Sequence, residues 1–497
     1  MFTSRPQDLE ELVLFWNERG EIGSCLELVR NSIERRLAER GTERNERCPL
    51  SREKTRQGAR LLAGAVTLMQ VQTIKTPANM HDSQGIGLEH LLPEWTILEQ
   101  STLLSRPIFD DAIYGQVRFH HRTVREYLAA EWLHELLKQQ GSRRTIEGLI
   151  FRQQYGVAVI VPQLRPILPW LCILDPLICE RVSKEAPDIF FEGGDPSYLN
   201  YSIRRSILIK MCEQLASNAV VSSVRDRTMV QLFAKPDLVD DIHRLLQQYH
   251  ENNVLVVFLV RMIWLGKITG LADVVLDIAL RADCSQYLFV TAYRALKSTG
   301  TAEQLTRVRE HYLFQNDVFE RDVIYALAND ESLTQSLWQW LLACLLKVER
   351  KEQYSADSLT LLIIHFIHDV DIEMLPTMIN DLNQLLNEPP ISRNFAALSE
   401  KYIYLLQPAA EGVKRLIMTK HSAAFSHSAF DILHKLPGRQ DAYNAEPLNK
   451  IKRELAEYIQ NDSELNNSLF WFEADKARAI FNGPLISYWK ISPFGEL

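Results

Sequence analysis

The chain has 497 residues, of which 46% are hydrophobic and 24% charged, and its formal net charge is −8. That length is too great for one ordinary core and points to about three domains or one elongated repeat array, while the acidic balance speaks against a nucleic-acid-binding surface. Seven cysteines without any C-x-x-C spacing argue against a disulfide framework and a zinc site, and no apolar run reaches the ~18 residues of a membrane span, so a cytoplasmic protein without a metal site is expected.

The start, MFTSRPQDLEELVLFW, carries acidic residues within its first ten and does not read as a secretory signal. Leu9, Leu12 and Val13, then after Gly20 Leu26, Val29, Ile33 and Leu37, recur at three- and four-residue steps and predict two short helices within 8–40. The mixed-charge run RNSIERRLAERGTERNER reads as a solvated face rather than a phosphate patch. Ser51 is placed to cap a helix over 51–72 that carries Leu61, Leu62, Val66 and Met69, and KTPANMHDSQGIG is a loop by its Pro, Asn, Asp and Gly content. A short helix at Leu88–Leu92 and a strand pair around TLLSR and GQVRFHH are expected next.

His120 and His121 close the second of those strands, and Thr123 and Glu126 stand in the T-x-x-E spacing of a capping box. The helix that follows runs to about residue 138, with Val124, Leu128, Trp132 and Leu136 on its inner face and Glu131, His134, Glu135 and Lys138 on the other. Helix, helix, small hairpin and closing helix is the layout of a winged-helix module over 51–140. Its candidate recognition segment, GLEHLLPEW, has two Glu and neither Lys nor Arg, which argues against DNA contacts.

Beyond residue 140, helical periodicity recurs without convincing strand alternation, so at most one small hairpin, near 101–120, is expected in the whole chain. Leu271, Val275, Ile278, Ala279 and Ala282 form one stripe and Leu288, Ala292, Ala295 and Leu296 the next; Thr301 and Gln304 then restart a helix. Further helices are expected at 203–217, 254–265, 333–348, 357–369, 371–386, 395–405, 422–434 and 446–460. Each pair leaves an apolar face for a neighbouring pair to cover, so 141–497 reads as an α-solenoid of HEAT/armadillo-like helical repeats. The expected fold class is mainly α: a winged-helix module followed by that array.

No G-x-x-x-x-G-K-[ST] loop, G-x-S-x-G elbow or H-E-x-x-H pair occurs, and no carboxylate pair stands out, so no enzyme active site is expected in this chain. The one residue singled out is His121. An imidazole beside the N–H groups and positive dipole end of a helix completes a site for an anion such as a phosphate. The alternative is a structural residue at a strand–helix corner.

Phe119, His121, Thr123, Val124, Glu126, Tyr127, Leu128, Ala129 and Ala130 form a run that resembles the F-x-H-x-[ST]-x-x-E-[YF]-L-A-A signature in the winged helix of NACHT-type STAND ATPases, molecular switches of immune and stress signalling. RPQDLEELVLFWNERGEIGS is similar to the helical segment ahead of that winged helix, and LLPEWTILEQSTLLSRPIFDDAIYGQVRFHHR to the hairpin within it; the resemblance covers 1–200. It implies that 1–50 is a remnant of the NTPase-associated helical domain. It also implies that His121 takes the role of the histidine that contacts the β-phosphate of bound ADP. A protein ligand on the helical repeats, oligomerisation on activation and a place in antiviral (phage) defence are implied as well. The chain departs from the family in lacking the P-loop, so ATP/ADP and Mg²⁺ would enter only with an NTPase core supplied upstream or by a partner polypeptide, as in a split switch or a truncated gene product. Met80-His81-Asp82, which matches a Met-His-Asp nucleotide-sensing triplet, lies in a loop and reads as coincidence. The competing expectation is a free-standing scaffold or adaptor with no nucleotide role.

Overall fold

The computed structural model describes residues 6–38, 50–77, 85–113, 115–154, 156–217, 226–315, 318–329, 331–348, 357–388, 401–436 and 446–480. Helices dominate, and the chain divides into two compact units: Met1–Asp277 with Arg294–Gly300, and Ile278–Tyr293 with Thr301–Leu497.

The first unit opens with α1 (Pro6–Arg19) and α2 (Cys25–Ala38), the two short helices expected from the periodicity, and α2 buries Leu26, Val29, Ile33 and Leu37. Helix α3 (Arg52–Met69) starts at Ser51, whose hydroxyl accepts from the Lys54 N–H as the cap position predicts. Strand β1 (Ile74–Lys75) follows, unexpected from the sequence and ending on the first residue of the segment read as a loop. The triplet Met80-His81-Asp82 lies outside the described residues.

Two local expectations fail in the next stretch. Leu88–Leu92 is a single turn, stopped by Pro93, and the helix lies later, at α4 (Ile97–Leu104), so Thr102–Leu104 of the TLLSR run are helical rather than extended. The cause is a capping box upstream: the Thr96 hydroxyl accepts from the Glu99 N–H at 3.2 Å while the Glu99 carboxylate accepts from the Thr96 N–H at 2.9 Å. The hairpin is instead β2 (Phe109–Ala112) with β3 (Gln116–Phe119), and β1 joins the other edge of β3 to give a three-stranded antiparallel sheet in the order β1-β3-β2.

Helix α5 (Arg122–Lys138) leaves the end of β3 and packs along α3. Ala59 and Ala63 of α3 are buried, and a Cβ on Gly64 would lie 2.6 Å from Trp132 Cδ2, so the small residues of α3 make room for the α5 side chains. The buried face of α5 centres on Val124, Tyr127, Leu128, Leu133 and Leu137; Trp132 and Leu136 are only half-buried.

After α6 (Arg143–Ile150) comes a second hairpin, β4 (Phe151–Gln154) with β5 (Val157–Ile160). This corrects the expectation of at most one hairpin. The signal was β-branched alternation in VAVI beside Gly156, whose φ of 78° suits a tight turn. The unit continues through α7 (Leu168–Leu174), α8 (Pro176–Glu185), α9 (Tyr201–Ala216), α10 (Arg227–Phe233), α11 (Val239–Gln248), α12 (Asn253–Gly266) and the greater part of α13 (Ala272–Ala279). Leu271, Val275, Ile278 and Ala279 are buried as expected, but α13 ends at Ala279 and leaves Ala282 exposed.

From α14 (Gln286–Thr299) onward lie α15 (Ala302–Gln315), α16 (Arg321–Ala328), α17 (Gln335–Lys347), α18 (Ser358–Asp369), α19 (Leu375–Leu386), α20 (Leu406–Met418), α21 (His427–His434), α22 (Glu446–Asn461) and α23 (Ser463–Ile480). The Thr301/Gln304 capping box is formed at the head of α15. Within the second unit α16, α18, α20 and α22 pack in one row and α15, α17, α19, α21 and α23 in another. Trp340 Nε1 donates to the Arg309 carbonyl, Tyr293 Oη to the Leu327 carbonyl, Trp338 Nε1 to Asp381 and Arg415 to the Ile367 carbonyl, across separations of 31, 34, 43 and 48 residues. Of the expected 395–405 helix, residues up to 400 lie outside the described set and Ile403–Leu405 form a 3-10 turn.

Candidate functional site

The strand–helix corner at the end of β3 gathers the titratable groups that the sequence singled out. The pairing of β2 with β3 continues one step past Phe119, where the His120 N–H donates to the Ile108 carbonyl at 2.9 Å, and the Phe109 and Phe119 rings pack at 4.8 Å on one side of the hairpin. That extended run ends at His121, whose φ of −124° and ψ of 133° are those of a strand, and α5 begins with Arg122. His121 is therefore the N-cap residue of α5.

The capping box expected from Thr123 and Glu126 does not form. Strand pairing carries the extended conformation to His121, so Thr123 falls inside the first turn and is buried, while Glu126 accepts from Arg122 Nε at 2.5 Å. Burial pushes the Glu126 carboxyl above its ordinary value, with Arg122 opposing the shift. The first turn of α5 holds no acidic residue, and the His121 side chain makes no cap hydrogen bond.

The two histidines have different surroundings. His120 is buried and its Nδ1 donates to Asp110 Oδ1 of β2 at 2.7 Å; the His121 ring is half-buried and meets His120 edge-on, with centroids 5.2 Å apart. Asp110 had no signal in the sequence, because its partnership arises only from the β2–β3 register that sets Asp110 opposite Arg118.

One and two turns further along α5, the site is tied to α2 and α3. Arg30 Nε of α2 donates to the Tyr127 hydroxyl at 2.8 Å. Glu131, expected on the solvent face, is buried between Arg56 and Arg60 of α3, with Arg60 Nε at 2.9 Å, and Arg56 also pairs with Glu34 of α2. Burial works to raise the Glu131 carboxyl, but hydrogen bonds and charge from Arg56 and Arg60 outweigh it and hold the group below the ordinary range. The charge run that reads as a solvated face thus supplies Arg30 and Glu34 to an interhelical network. The N-terminus of α2 is capped from far away: Asp195, itself buried, accepts from the Leu26 N–H at 2.9 Å.

A helix N-terminus flanked by an imidazole, Arg122 and half-buried Arg125, with no carboxylate in its first turn, has the donor chemistry to take a phosphate oxygen. The described cysteines are free, and burial pushes the thiols of Cys25 and Cys284 up to about 11 and those of Cys212 and Cys344 up to about 12, which disfavours the nucleophilic thiolate. Among the described residues no group of three or more His, Cys, Asp or Glu is arranged to hold a metal ion, and no helix is long and apolar enough to cross a membrane. Comparison with known families, characterised proteins and solved structures finds no match to the chain.

Proposed function

We propose that the chain is the non-catalytic sensor and regulatory part of a NACHT-like STAND switch, with a winged-helix module that senses nucleotide and an α-solenoid that recognises a protein ligand. The observation that carries this reading is His121 as the N-cap of α5, at the end of a strand and at the head of a first helical turn that contains no Asp or Glu. The order α3, β1, α4, β2, β3, α5, with its three-stranded sheet, supports the winged-helix part, and α4 contains neither Lys nor Arg. The two rows of helices in the second unit, tied across 31 to 48 residues, support the solenoid. In this reading an NTPase-core polypeptide supplies the P-loop, ATP/ADP and Mg²⁺, and His121 donates to a phosphate oxygen of ADP. The setting is cytoplasmic phage defence, with oligomerisation on activation.

The test is ADP affinity of the chain in complex with its P-loop polypeptide, with His121 and with His121→Ala. Loss of one phosphate donor at a helix N-terminus should weaken ADP by roughly tenfold, and equal affinities would overturn the nucleotide role. The isolated chain should neither bind nor hydrolyse ATP; stoichiometric retention of labelled ATP would contradict this. A second reading, a free-standing scaffold or adaptor, draws on the His120–Asp110 bond, which shows the same corner in structural use.

A further inference from the structure

Helix α18 turns a partly apolar ridge away from the core of the second unit. Leu359, Leu362, Ile363, Phe366 and Ile367 are buried, whereas Leu361 is 56% exposed, His365 and His368 are exposed and Ile364 is half-buried, at the three- and four-residue spacing of one helix face. The ridge ends in carboxylates. His365 Nε2 lies 3.2 Å from Asp369 Oδ2, and the Asp369 side chain remains 66% exposed. Exposed Asp371 and Glu373 follow in the turn before α19, and the Glu373 carboxylate, on a side chain 81% exposed, lies 3.8 Å from Nε2 of His421, just past the end of α20. Arg415 donates to the Ile367 carbonyl and holds the last turn of α20 against the last turn of α18, which sets exposed Met418, three residues on, at the same end of the ridge. Residues 357–388, which span α18 and α19, hold six acidic residues and neither Lys nor Arg. Among the described residues, Asp369, Asp371 and Glu373 pair with no Lys or Arg. Of the cations at the adjacent end of α20, Lys414 is held by Glu411 and Glu454, Arg415 by the Ile367 carbonyl, and Lys420 is exposed.

We propose that this ridge is a docking surface for a basic, apolar-bearing peptide segment of a partner protein. The proposal rests on the protein-binding part of the reading above and names the chemistry of its ligand. Leu361, Ile364 and Met418 offer apolar area whose removal from water is favourable. The carboxylates of Asp369, Asp371 and Glu373 supply the charge complementarity, so Lys or Arg side chains set among apolar ones meet both parts of the surface. Three exposed carboxylates against one exposed lysine fix the sign of the occupant: an acidic peptide or a nucleic acid would bring like charge against them.

Short randomised peptides displayed on phage are selected on the full chain and then measured against Leu361→Gln and against Asp369→Lys combined with Glu373→Lys. Each variant alters exposed side chains only, and an unchanged melting temperature confirms that it keeps the fold; should one lose stability, the other decides. Retained peptides should be rich in Lys and Arg interspersed with apolar residues, should weaken with salt, and should lose roughly tenfold or more in affinity to each variant. Peptides indifferent to either variant, or rich in Asp and Glu, would overturn the surface while leaving the protein-binding reading intact. Recovery of no peptide at all would overturn both. Concentration-dependent dimerisation of the chain that Leu361→Gln abolishes would overturn the proposal in favour of a second copy as the occupant.

Discussion

His120 and His121 are neighbours with separate duties. His120 is buried against Asp110 within the hairpin, so His120→Ala removes that hydrogen bond together with a buried ring and should cost about 1–3 kcal/mol of stability. His121 is half-buried and its side chain does not cap α5, so His121→Ala should lower the melting temperature less than His120→Ala does. Thermal denaturation of the two variants side by side checks the contrast; a larger loss from His121→Ala would assign the structural role to the wrong histidine. Asp195 can be treated in the same way. Its carboxylate accepts from the Leu26 N–H and from the Ser197 N–H and hydroxyl, and Asp195→Ala should cost roughly 1–3 kcal/mol. Hydrogen exchange at the first turn of α2 should accelerate, because the cap comes from a residue 169 positions away.

At the scale of elements, the contact between α3 and α5 depends on a residue without a side chain. Gly64→Ala would gain about 0.5–1 kcal/mol of helix propensity. The added methyl would meet the Trp132 ring, and overpacking at such a contact costs roughly 1–3 kcal/mol, so the variant should be destabilised. Combining it with Trp132→Leu should recover part of the loss. Two additive losses in a double-mutant cycle would show that the residues do not interact. The T-x-x-E pattern occurs twice near this contact, at Thr96/Glu99 and at Thr123/Glu126, and only the first becomes a capping box. The spacing was equally legible in both. What separated them was strand pairing: the His120 N–H bonded to Ile108 keeps the chain extended to His121 and moves the start of α5 ahead of Thr123.

For the whole molecule, stability should respond to acid through carboxylates held low in the folded state. Burial tends to raise Glu131, Asp175, Asp357 and Asp431, but hydrogen bonds and cations win at each: Arg56 and Arg60, Arg143, Arg321, and Lys435 with Lys476. Below the ordinary carboxyl values of 4.5 for Glu and 3.8 for Asp the unfolded chain takes up protons that the folded one refuses. The stabilisation is therefore fully present above that range and is lost as pH falls through it toward the depressed folded values. The melting temperature should stay level from neutral pH to about 5 and drop steeply below about 4; a decline already complete above pH 5 would contradict this account. These pairs join α3 to α5, α6 to α8, α16 to α18, and α21 to α23, so both units should lose stability together.

The sequence by itself determined the features that arise within one or two helical turns. The periodic stripe of α2, the Ser51 cap and the Thr301/Gln304 box depend on neighbours three or four residues apart, and such neighbours meet in any helix regardless of the rest of the chain, whereas Met69 of the stripe expected on α3 and Ala282 of that expected on α13 are exposed. Tertiary structure alone decided which surfaces face each other. Glu131 and His134 look alike as polar positions on α5, yet Glu131 is buried because α3 brings Arg56 and Arg60 to it. The His120–Asp110 bond depends on strand register and the α2 cap on Asp195. None of these partners stands at a distance that a local pattern encodes, because each is set by how whole elements fill the space between one another.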